Sequence, residues 1–413
     1  MSLPRTLPRL GRTPAFAVVS LALVVLMLAA GAPSPLFVVY QAQWHFSSAA
    51  LTAVFAAYPL ALLASLLTLG GLSDHVGRRP VLAAALALDA VAMLLFHGAG
   101  GVGGLLLARA VQGLATGAAM GVVSAALVDL QPLRRPRAGV TVNSVGPTAG
   151  LAAGALGAGL VLDHLPAPTT VVFLALTAAL MVLAALVAVV PETVTPRAGA
   201  LKSLRPSASV PPRARRAFAT AVPAMVATWA IGGLYLSLGP SLVATQLHVQ
   251  GHLAGGLVVA ALTGAGGIAV LLVGDRAPRP VMAFGAATLA AGVLATLVAL
   301  DVRSVAGFFA ATVVAGVGFG TAFFGAFRSV AALPAPHERA ELFAAAYTVN
   351  YLAFGVPTLL AGVAARQVGL LPTAMVYGVV VAALGLVALG LGLRRAPATS
   401  PARTCPVTTT VTS

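Results

Sequence analysis

Two charged residues, Asp89 and Arg109, each interrupt a segment that is otherwise apolar. A charge in such a segment is costly to bury, so each residue is a candidate functional group. Counted from the predicted helix starts, the two lie at depths that an arginine side chain could bridge. An ion pair would lower the cost of burying both charges, and protonation of Asp89 would then release Arg109. Asp89 is a candidate proton carrier; the alternatives are a structural partner of Arg109 and a polar residue near an interface.

Other residue types that support catalysis or metal binding form no recognisable site. The seven histidines show no ligand spacing, and Cys405, the single cysteine, lies in the polar C-terminal tail. A lone cysteine excludes an intrachain disulfide and a cysteine-based metal site. The sequence also has no nucleophile constellation and no glycine loop followed by Lys-Ser or Lys-Thr. We therefore expect no metal, no cofactor and no enzyme activity, and we exclude a self-contained ATP-driven pump.

The elements that must position Asp89 and Arg109 are apolar helices. Hydrophobic residues make up 59% of the 413-residue chain, charged residues only 8%, and the mean hydropathy is +1.00. A soluble domain has roughly 25% charged residues, so this chain cannot cover a soluble surface. The net charge of +15 comes from bases in short loops, which argues against a nucleic-acid partner. The composition predicts an all-α polytopic membrane protein embedded in a lipid bilayer.

Twelve apolar segments are long enough to span a membrane. Residues 13–73 contain no charged side chain, and a run of this length fits two helices joined by a short loop at Gln41–Ser47. The predicted spans cover residues 15–37, 50–70, 80–97, 104–128, 138–161, 169–190, 217–239, 254–273, 281–299, 304–327, 342–364 and 372–393.

The basic residues indicate how the spans are oriented. Of the 24 lysine and arginine residues, all but Arg109, Arg303 and Arg366 fall on one side of the predicted bundle. Cytoplasmic loops carry an excess of positive charge. The asymmetry therefore places both termini in the cytoplasm, together with the long loop 191–216.

The chain contains an internal duplication. A second run without charged residues, 217–274, begins 204 positions after the first run. Each run is followed by an aspartate with an arginine four positions later, Asp74 with Arg78 and Asp275 with Arg279. Repeats of this kind are typical of transporters whose substrate site lies between two halves. We predict an N-terminal segment 1–14, two six-helix bundles at 15–190 and 217–393, a linker 191–216 and a disordered tail 394–413.

The loop after the second predicted span carries the most specific motif. It reads GGLSDHVGRRP, and it resembles the signature loop of the major facilitator superfamily, G-x-L-x-D-R-x-G-R-R. The matching residues are Gly70, Leu72, Asp74, Gly77, Arg78 and Arg79. Asp74 and the two arginines could form a charge cluster that locks one conformer of a gate, and glycine permits the tight turn. Plain anchoring by positive charge is the alternative interpretation.

Two further spans resemble motifs of the same family. The fourth contains Arg109, Gln112 and Gly113, similar to R-x-x-Q-G, in which the family's arginine is associated with proton coupling. An outward-facing anchor is the alternative role for Arg109. The fifth span looks like the antiporter motif G-P-x-x-G-G with its last glycine replaced, and plain helix packing is the alternative interpretation. The residues of this motif are Gly146, Pro147, Gly150 and Gly154.

The resemblance implies a secondary transporter, and specifically a proton-driven exporter of small organic, drug-like molecules. An importer or facilitator of a neutral solute such as a sugar is the alternative function. The resemblance further implies a monomer in the bacterial inner membrane, with the proton gradient as energy source. By family analogy the candidates for the substrate cavity are Gln112, Asn143, Trp229, Tyr235, Tyr347 and Asn350, and interface or packing roles are the alternative for each.

Overall fold

The protein is almost entirely helical. The computed structural model describes residues 9–204, 208–331, 333 and 338–393, and these ranges form sixteen helices and no strand. Predictions that concern Arg5, the arginines at 394, 395 and 403, Cys405 and the tail 394–413 fall outside the described residues.

The N-terminal half comprises α1 (Arg12–Gly31), α2 (Pro33–Trp44), α3 (Ser48–Leu69), α4 (Ser73–Val76), α5 (Arg78–His97), α6 (Val102–Leu130), α7 (Ala138–His164) and α8 (Pro168–Val187). A short helix, α9 (Ala200–Ser203), lies in the connection that follows. The C-terminal half comprises α10 (Arg215–Ser237), α11 (Gly239–Gln246), α12 (Leu253–Val273), α13 (Pro278–Asp301), α14 (Val305–Ala331), α15 (Arg339–Val368) and α16 (Leu370–Leu393).

Twelve membrane-spanning helices are found within the described residues, with α1 and α2 counted as one span. This confirms the predicted all-α polytopic fold. The first span is longer than predicted, because α2 continues through Gln41 to Trp44 and leaves only residues 45–47 as a loop. Pro33 stands in the first turn of α2, where its missing N–H costs no hydrogen bond and its fixed φ favours a helix. A second helix therefore starts where the first one stops.

Small residues set the distances between the helices. Gly285, Gly292 and Gly318 lie between α13 and α14, and a Cβ atom at any of them would collide with the backbone of the facing helix. Lipid gives no hydrophobic drive for helices to associate, so membrane helices rely on close packing of this kind. The same device brings α6 against α3 and α7 against α1 in the N-terminal half.

The two halves meet along two seams, α3 against α15 and α7 against α12. Because the spans alternate in direction, the bundle has two ends. We call the end that carries Arg12, Arg78 and Arg137 the arginine-rich end, and the end that carries Asp163 and Asp301 the opposite end. The predicted division into two bundles at the linker 191–216 stays a prediction.

Candidate functional site

Arg109 and Gln112 bind the break between α1 and α2. Arg109 is 1% exposed, and its Nη1 donates to the Ala30 carbonyl over 3.3 Å and to Gln112 Oε1 over 2.7 Å. Gln112 Nε2 donates to the Ala29 carbonyl over 2.9 Å. In a continuous helix that carbonyl would accept the N–H of residue 33, but proline has none. The side-chain amide of Gln112 is therefore hydrogen-bonded to both α1 and Arg109 in this conformation.

Three aromatic rings surround the guanidinium of Arg109. Its central carbon lies 4.9 Å from the ring centre of Phe37, 5.4 Å from that of Tyr58 and 5.7 Å from that of Phe96. Aromatic faces attract a cation, and the attraction grows when water is excluded. The buried charge is thus stabilised by carbonyl groups and rings, while its Nε has no hydrogen-bond partner in the described part of the chain.

Asp89 is buried near Arg109 but is not paired with it. The residue is 0% exposed, and neither carboxyl oxygen has a hydrogen-bond partner among the described residues. The ion pair with Arg109, one of the arrangements that the sequence allows, is therefore not formed in this structure. Tyr58 nevertheless lies within electrostatic range of both charges. A buried carboxyl without a partner is rare and is a group that can exchange a proton when its surroundings change.

The glycines that follow Arg109 on its face of α6 pack against α3. A Cβ atom at Gly117 would lie 2.5 Å from the Leu62 carbonyl, and one at Gly113 would collide with the Tyr58 carbonyl. Gly113 and Gly117, four residues apart on α6, thus form a packing surface. The close approach of α6 to α3 at these glycines holds the ring of Tyr58 against Arg109.

Glu192 anchors the predicted gate loop. Its Oε1 accepts the backbone N–H of Arg78 over 2.9 Å, and its Oε2 accepts that of Arg79 over 3.1 Å. These N–H groups belong to the first turn of α5, where a helix leaves its donors free and its dipole favours an acid. Gly77 precedes them with φ +110°, and a Cβ atom there would lie 2.7 Å from Glu192 Oε2. The backbone conformation requires glycine at this position, and a Cβ atom would also displace the carboxylate of Glu192.

The charges of the gate loop are arranged differently from the prediction. Arg78 is ion-paired with Asp129 near the end of α6, and its Nη1 also donates to Thr193 Oγ1 over 3.3 Å. Asp74 is exposed and lies within electrostatic range of Arg78. Its carboxylate makes no hydrogen bond or ion pair with the residues that the structure describes. In this conformation Asp129 and Glu192, not Asp74, hold the loop.

The glycines of the fifth predicted span face α1. A Cβ atom at Gly150 would lie 2.5 Å from Met27 Cβ, and one at Gly146 would lie 3.0 Å from Leu23 Cδ2. Gly154 lies directly against the Leu28 carbonyl, and Pro147 lies inside α7. These contacts give the motif a packing role between α7 and α1.

Two of the candidates for the substrate cavity have their side-chain polar groups hydrogen-bonded within their own half of the chain. Asn143 Nδ2 donates to the Ser124 carbonyl over 3.2 Å. The hydroxyl of Tyr235 lies 3.3 Å from Thr296 Oγ1 and 3.3 Å from Thr312 Oγ1. In the predicted duplication Gly113 and Gly117 match Gly316 and Gly320, which makes Thr312 the counterpart of Arg109. The C-terminal half therefore has neutral hydrogen bonds where the N-terminal half has a charge.

The other aromatic candidates belong to a larger cluster on α10, α14 and α15. We call it the aromatic band, and its members are Trp229, Phe323, Phe327, Phe343, Tyr347, Tyr351 and Phe354. The ring centre of Trp229 lies 5.0 Å from that of Tyr351 and meets it edge-on. Tyr351 also packs against Tyr58 and Leu62 of the N-terminal half. The band therefore lies at the boundary between the halves, and several of its rings are only half-buried.

Asn350 lies next to Tyr351 on α15. It is 0% exposed, and neither its Oδ1 nor its Nδ2 has a hydrogen-bond partner within the described ranges. A buried amide with no partner is rare in proteins. Asn350 can therefore offer one acceptor and two donor hydrogens to a water or a polar ligand.

The residues that the sequence analysis missed are acids that contact other elements. Asp129 and Glu192 hold the gate loop, although both lie far from it in the sequence. Their only local signal is an acid at the end of an apolar segment. The sequence Pro191-Glu192-Thr193, which closes the sixth predicted span, resembles a family pattern, but the resemblance does not indicate a contact with the gate loop. Asp163, at the end of α7, accepts hydrogen bonds from the C-terminal half. No sequence pattern indicated this contact.

The fold defines a multi-pass helical membrane protein that buries charged side chains among its spans. Residues 19–277, more than half of the chain, match the family model described as Major Facilitator Superfamily. The chain belongs to this superfamily of secondary transporters.

Solved structures show the same fold. The human organic anion transporter MFSD10 (TETRAN) is 17% identical, with a TM-score of 0.63 over 93% of this chain and 100% of that one. A bacterial homolog of the human lysosomal transporter Spinster, solved in an inward-facing and unoccupied conformation, is 13% identical. Its TM-score is 0.72, over 92% of this chain and 97% of that one. A search of curated protein sequences finds no match.

Proposed function

We propose that the protein is a proton-coupled exporter of small organic molecules that works by alternating access. In this proposal the bundles 15–190 and 217–393 rock against each other about the linker 191–216, and substrate binds between them. The protein acts as a monomer in the bacterial inner membrane with both termini in the cytoplasm. It needs no cofactor, because the proton gradient supplies the energy.

The buried carboxyl of Asp89 is the observation that carries the coupling part of the proposal. It has no hydrogen-bond partner among the described residues, and the charge of Arg109 is held nearby by carbonyls and rings. The predicted duplication has Thr312 at the position of Arg109 and only apolar residues at that of Asp89. Because the repeat does not require these charges, a functional role is favoured over a structural one. We assign Asp89 as the proton carrier and Arg109 as the group that responds to its charge.

The aromatic band supports the class of substrate. Rings at the boundary between the halves offer flat apolar faces, which suit aromatic and other drug-like molecules. Trp229, Tyr347 and Asn350 are the residues of this region that we assign to substrate binding. Tyr235, Asn143 and Gln112 have their polar groups bonded within their own half, so we assign them no substrate contact.

Transport into inverted membrane vesicles tests the function directly. A panel of aromatic drug-like compounds and neutral sugars is offered to vesicles with and without a proton gradient. We expect accumulation of aromatic compounds that stops when the gradient is collapsed. Accumulation of a substrate at the same rate without the gradient would exclude proton-coupled export.

The proposed orientation is tested by labelling intact cells with a membrane-impermeant maleimide. The native Cys405 is first replaced by serine, which removes the only cysteine. A cysteine at Gln43, which is exposed at the opposite end, should then be labelled from outside. A cysteine at Leu201, which is 84% exposed beside the arginine-rich end, should be labelled only after the cells are opened. The reverse pattern would overturn the orientation.

Asn350 favours the second candidate function, import or facilitated diffusion of a neutral solute such as a sugar. A buried amide without a partner suits a hydroxylated ligand, and a site with such a group rejects ligands that lack one. The vesicle experiment separates the two functions. A facilitator equilibrates its solute without a proton gradient, whereas an exporter concentrates its substrate only with one.

A further inference from the structure

Asp163 links the two halves at the opposite end of the bundle. It lies near the end of α7, and its Oδ1 accepts the backbone N–H of His252 over 2.8 Å. Its Oδ2 accepts the backbone N–H of Leu253 over 2.9 Å. The His252 ring lies 2.9 Å from Oδ1 through its Nδ1. One carboxylate of the N-terminal half therefore receives three hydrogen bonds from the start of α12.

The start of α12 has no cap of its own. Its N-cap position is His252, whose side chain makes no capping hydrogen bond, so its first N–H groups depend on Asp163. The corresponding helix of the N-terminal half, α3, is capped by its own Ser47, whose hydroxyl accepts the Ala50 N–H over 3.3 Å. An uncapped helix start leaves donors without partners, and a carboxylate there is favoured by the helix dipole. The second half thus depends on the first half for this cap.

The α7–α12 seam has a different polar contact at its arginine-rich end. Arg137 and Asp275 form an ion pair there, but their side chains are 81% and 71% exposed. Exposed ion pairs contribute little to stability because water and salt screen them. The side chain of Asp163 is 20% exposed, although the residue as a whole lies at the surface, and hydrogen bonds to an ionised acceptor are stronger than neutral ones. The stronger of these two contacts is therefore at the opposite end.

We propose that Asp163 is a positioning residue for the transport cycle, acting as a latch that holds the opposite end closed. When α7 and α12 separate at that end, the three hydrogen bonds break and the first turn of α12 loses its cap. The latch therefore favours the conformation in which the opposite end is shut. This inference rests on the alternating-access part of the proposed function, but not on proton coupling or on the substrate.

Cysteine accessibility in the Cys405→Ser background tests the latch without substrate or gradient. Thr52 reports on the opposite end, because it is 0% exposed where α3 meets Gly362 of α15. Leu67 reports on the arginine-rich end, because it lies near that end of α3 and is half-buried beside the cluster of Tyr58 and Tyr351. With Asp163→Ala, we expect labelling of Thr52→Cys to rise about tenfold, as for loss of a helix cap. Labelling of Leu67→Cys should fall.

Three further variants show whether the change is specific. Asp163→Asn, which keeps one acceptor oxygen, should give an intermediate rise, and it replaces Asp163→Ala if that variant does not accumulate. His252→Ala should have a smaller effect, because both backbone N–H donors remain. Asp301→Ala is the matched control, since Asp301 is an exposed acid at the same end, and it should change nothing.

The pattern of labelling decides between a latch and a merely structural contact. A rise at both reporters, or no change at Thr52→Cys with Asp163→Ala and Asp163→Asn, would overturn the latch. Labelling could rise at Thr52→Cys and fall at Leu67→Cys in a protein that transports without protons. The latch would then stand, whereas the proposal of proton coupling would fail.

Discussion

Arg78 is ion-paired with Asp129, and this contact joins the start of α5 to the end of α6. The same stretch of α5 is held through its backbone by Glu192, which follows α8. The gate loop is therefore fixed to two other elements of its own half. Asp74, the acid of the sequence motif, is left exposed. A gating role for Asp74 requires partners that form in another conformation, as a lock must.

We predict that Asp74→Asn strongly reduces transport but leaves thermal stability in detergent unchanged, because the carboxylate has no bond to lose in this conformation. Asp275→Asn is the matched variant in the second copy of the loop. It breaks only the exposed pair with Arg137, worth at most about 1 kcal/mol, so transport should fall by no more than about fivefold. The two variants are compared by initial transport rate and melting temperature. Equal losses of transport would contradict an asymmetric lock.

Gly77→Ala should destabilise the gate loop. The substitution places a Cβ atom 2.7 Å from Glu192 Oε2 in a backbone with φ +110°, and such strain costs about 1–3 kcal/mol. We expect a lower melting temperature and slower transport. Gly100→Ala is the control, because nothing lies within 4 Å of a Cβ atom there. If Gly77→Ala has the same melting temperature as Gly100→Ala and the wild type, the backbone of the gate loop is not strained by the substitution and the contact with Glu192 does not hold the loop.

Much of the fold could be predicted from the sequence, because a membrane imposes a simple rule. Segments without charge, such as residues 13–73, must span the bilayer as helices, and the structure confirms twelve spans. The rule does not say where helices end. The first span was predicted to stop at residue 37, but α2 runs on to Trp44 because its polar residues still form a helix beyond Pro33.

The candidate site could be predicted only in part. Burial of Asp89 and Arg109 follows from their apolar surroundings, and the structure buries both. Their relative placement could not be predicted, because it depends on how α5 and α6 pack against α1. Arg109 turns to the carbonyl of Ala30, which lies about 80 residues away in the chain. Contacts over such separations have no local sequence signal.

The aromatic band should bind the substrate through Trp229. Trp229→Ala removes the ring that meets Tyr351 and Phe354 edge-on, and loss of a central tryptophan should weaken binding roughly tenfold. The protein has two tryptophans, so Trp44→Ala, at the opposite end beside Tyr40, is a matched control. Substrate should quench the fluorescence of a variant that keeps only Trp229. Quenching of a variant that keeps only Trp44 would place the site elsewhere.

Substrate-driven proton movement in reconstituted vesicles tests the central claim most directly. The account predicts that adding substrate moves protons with the wild-type protein, and that Asp89→Asn abolishes this movement while downhill substrate transport survives. Asp301→Asn, which changes an exposed acid, should behave as the wild type. If Asp89→Asn moves as many protons per substrate as the wild type, Asp89 is not the proton carrier and the account is wrong.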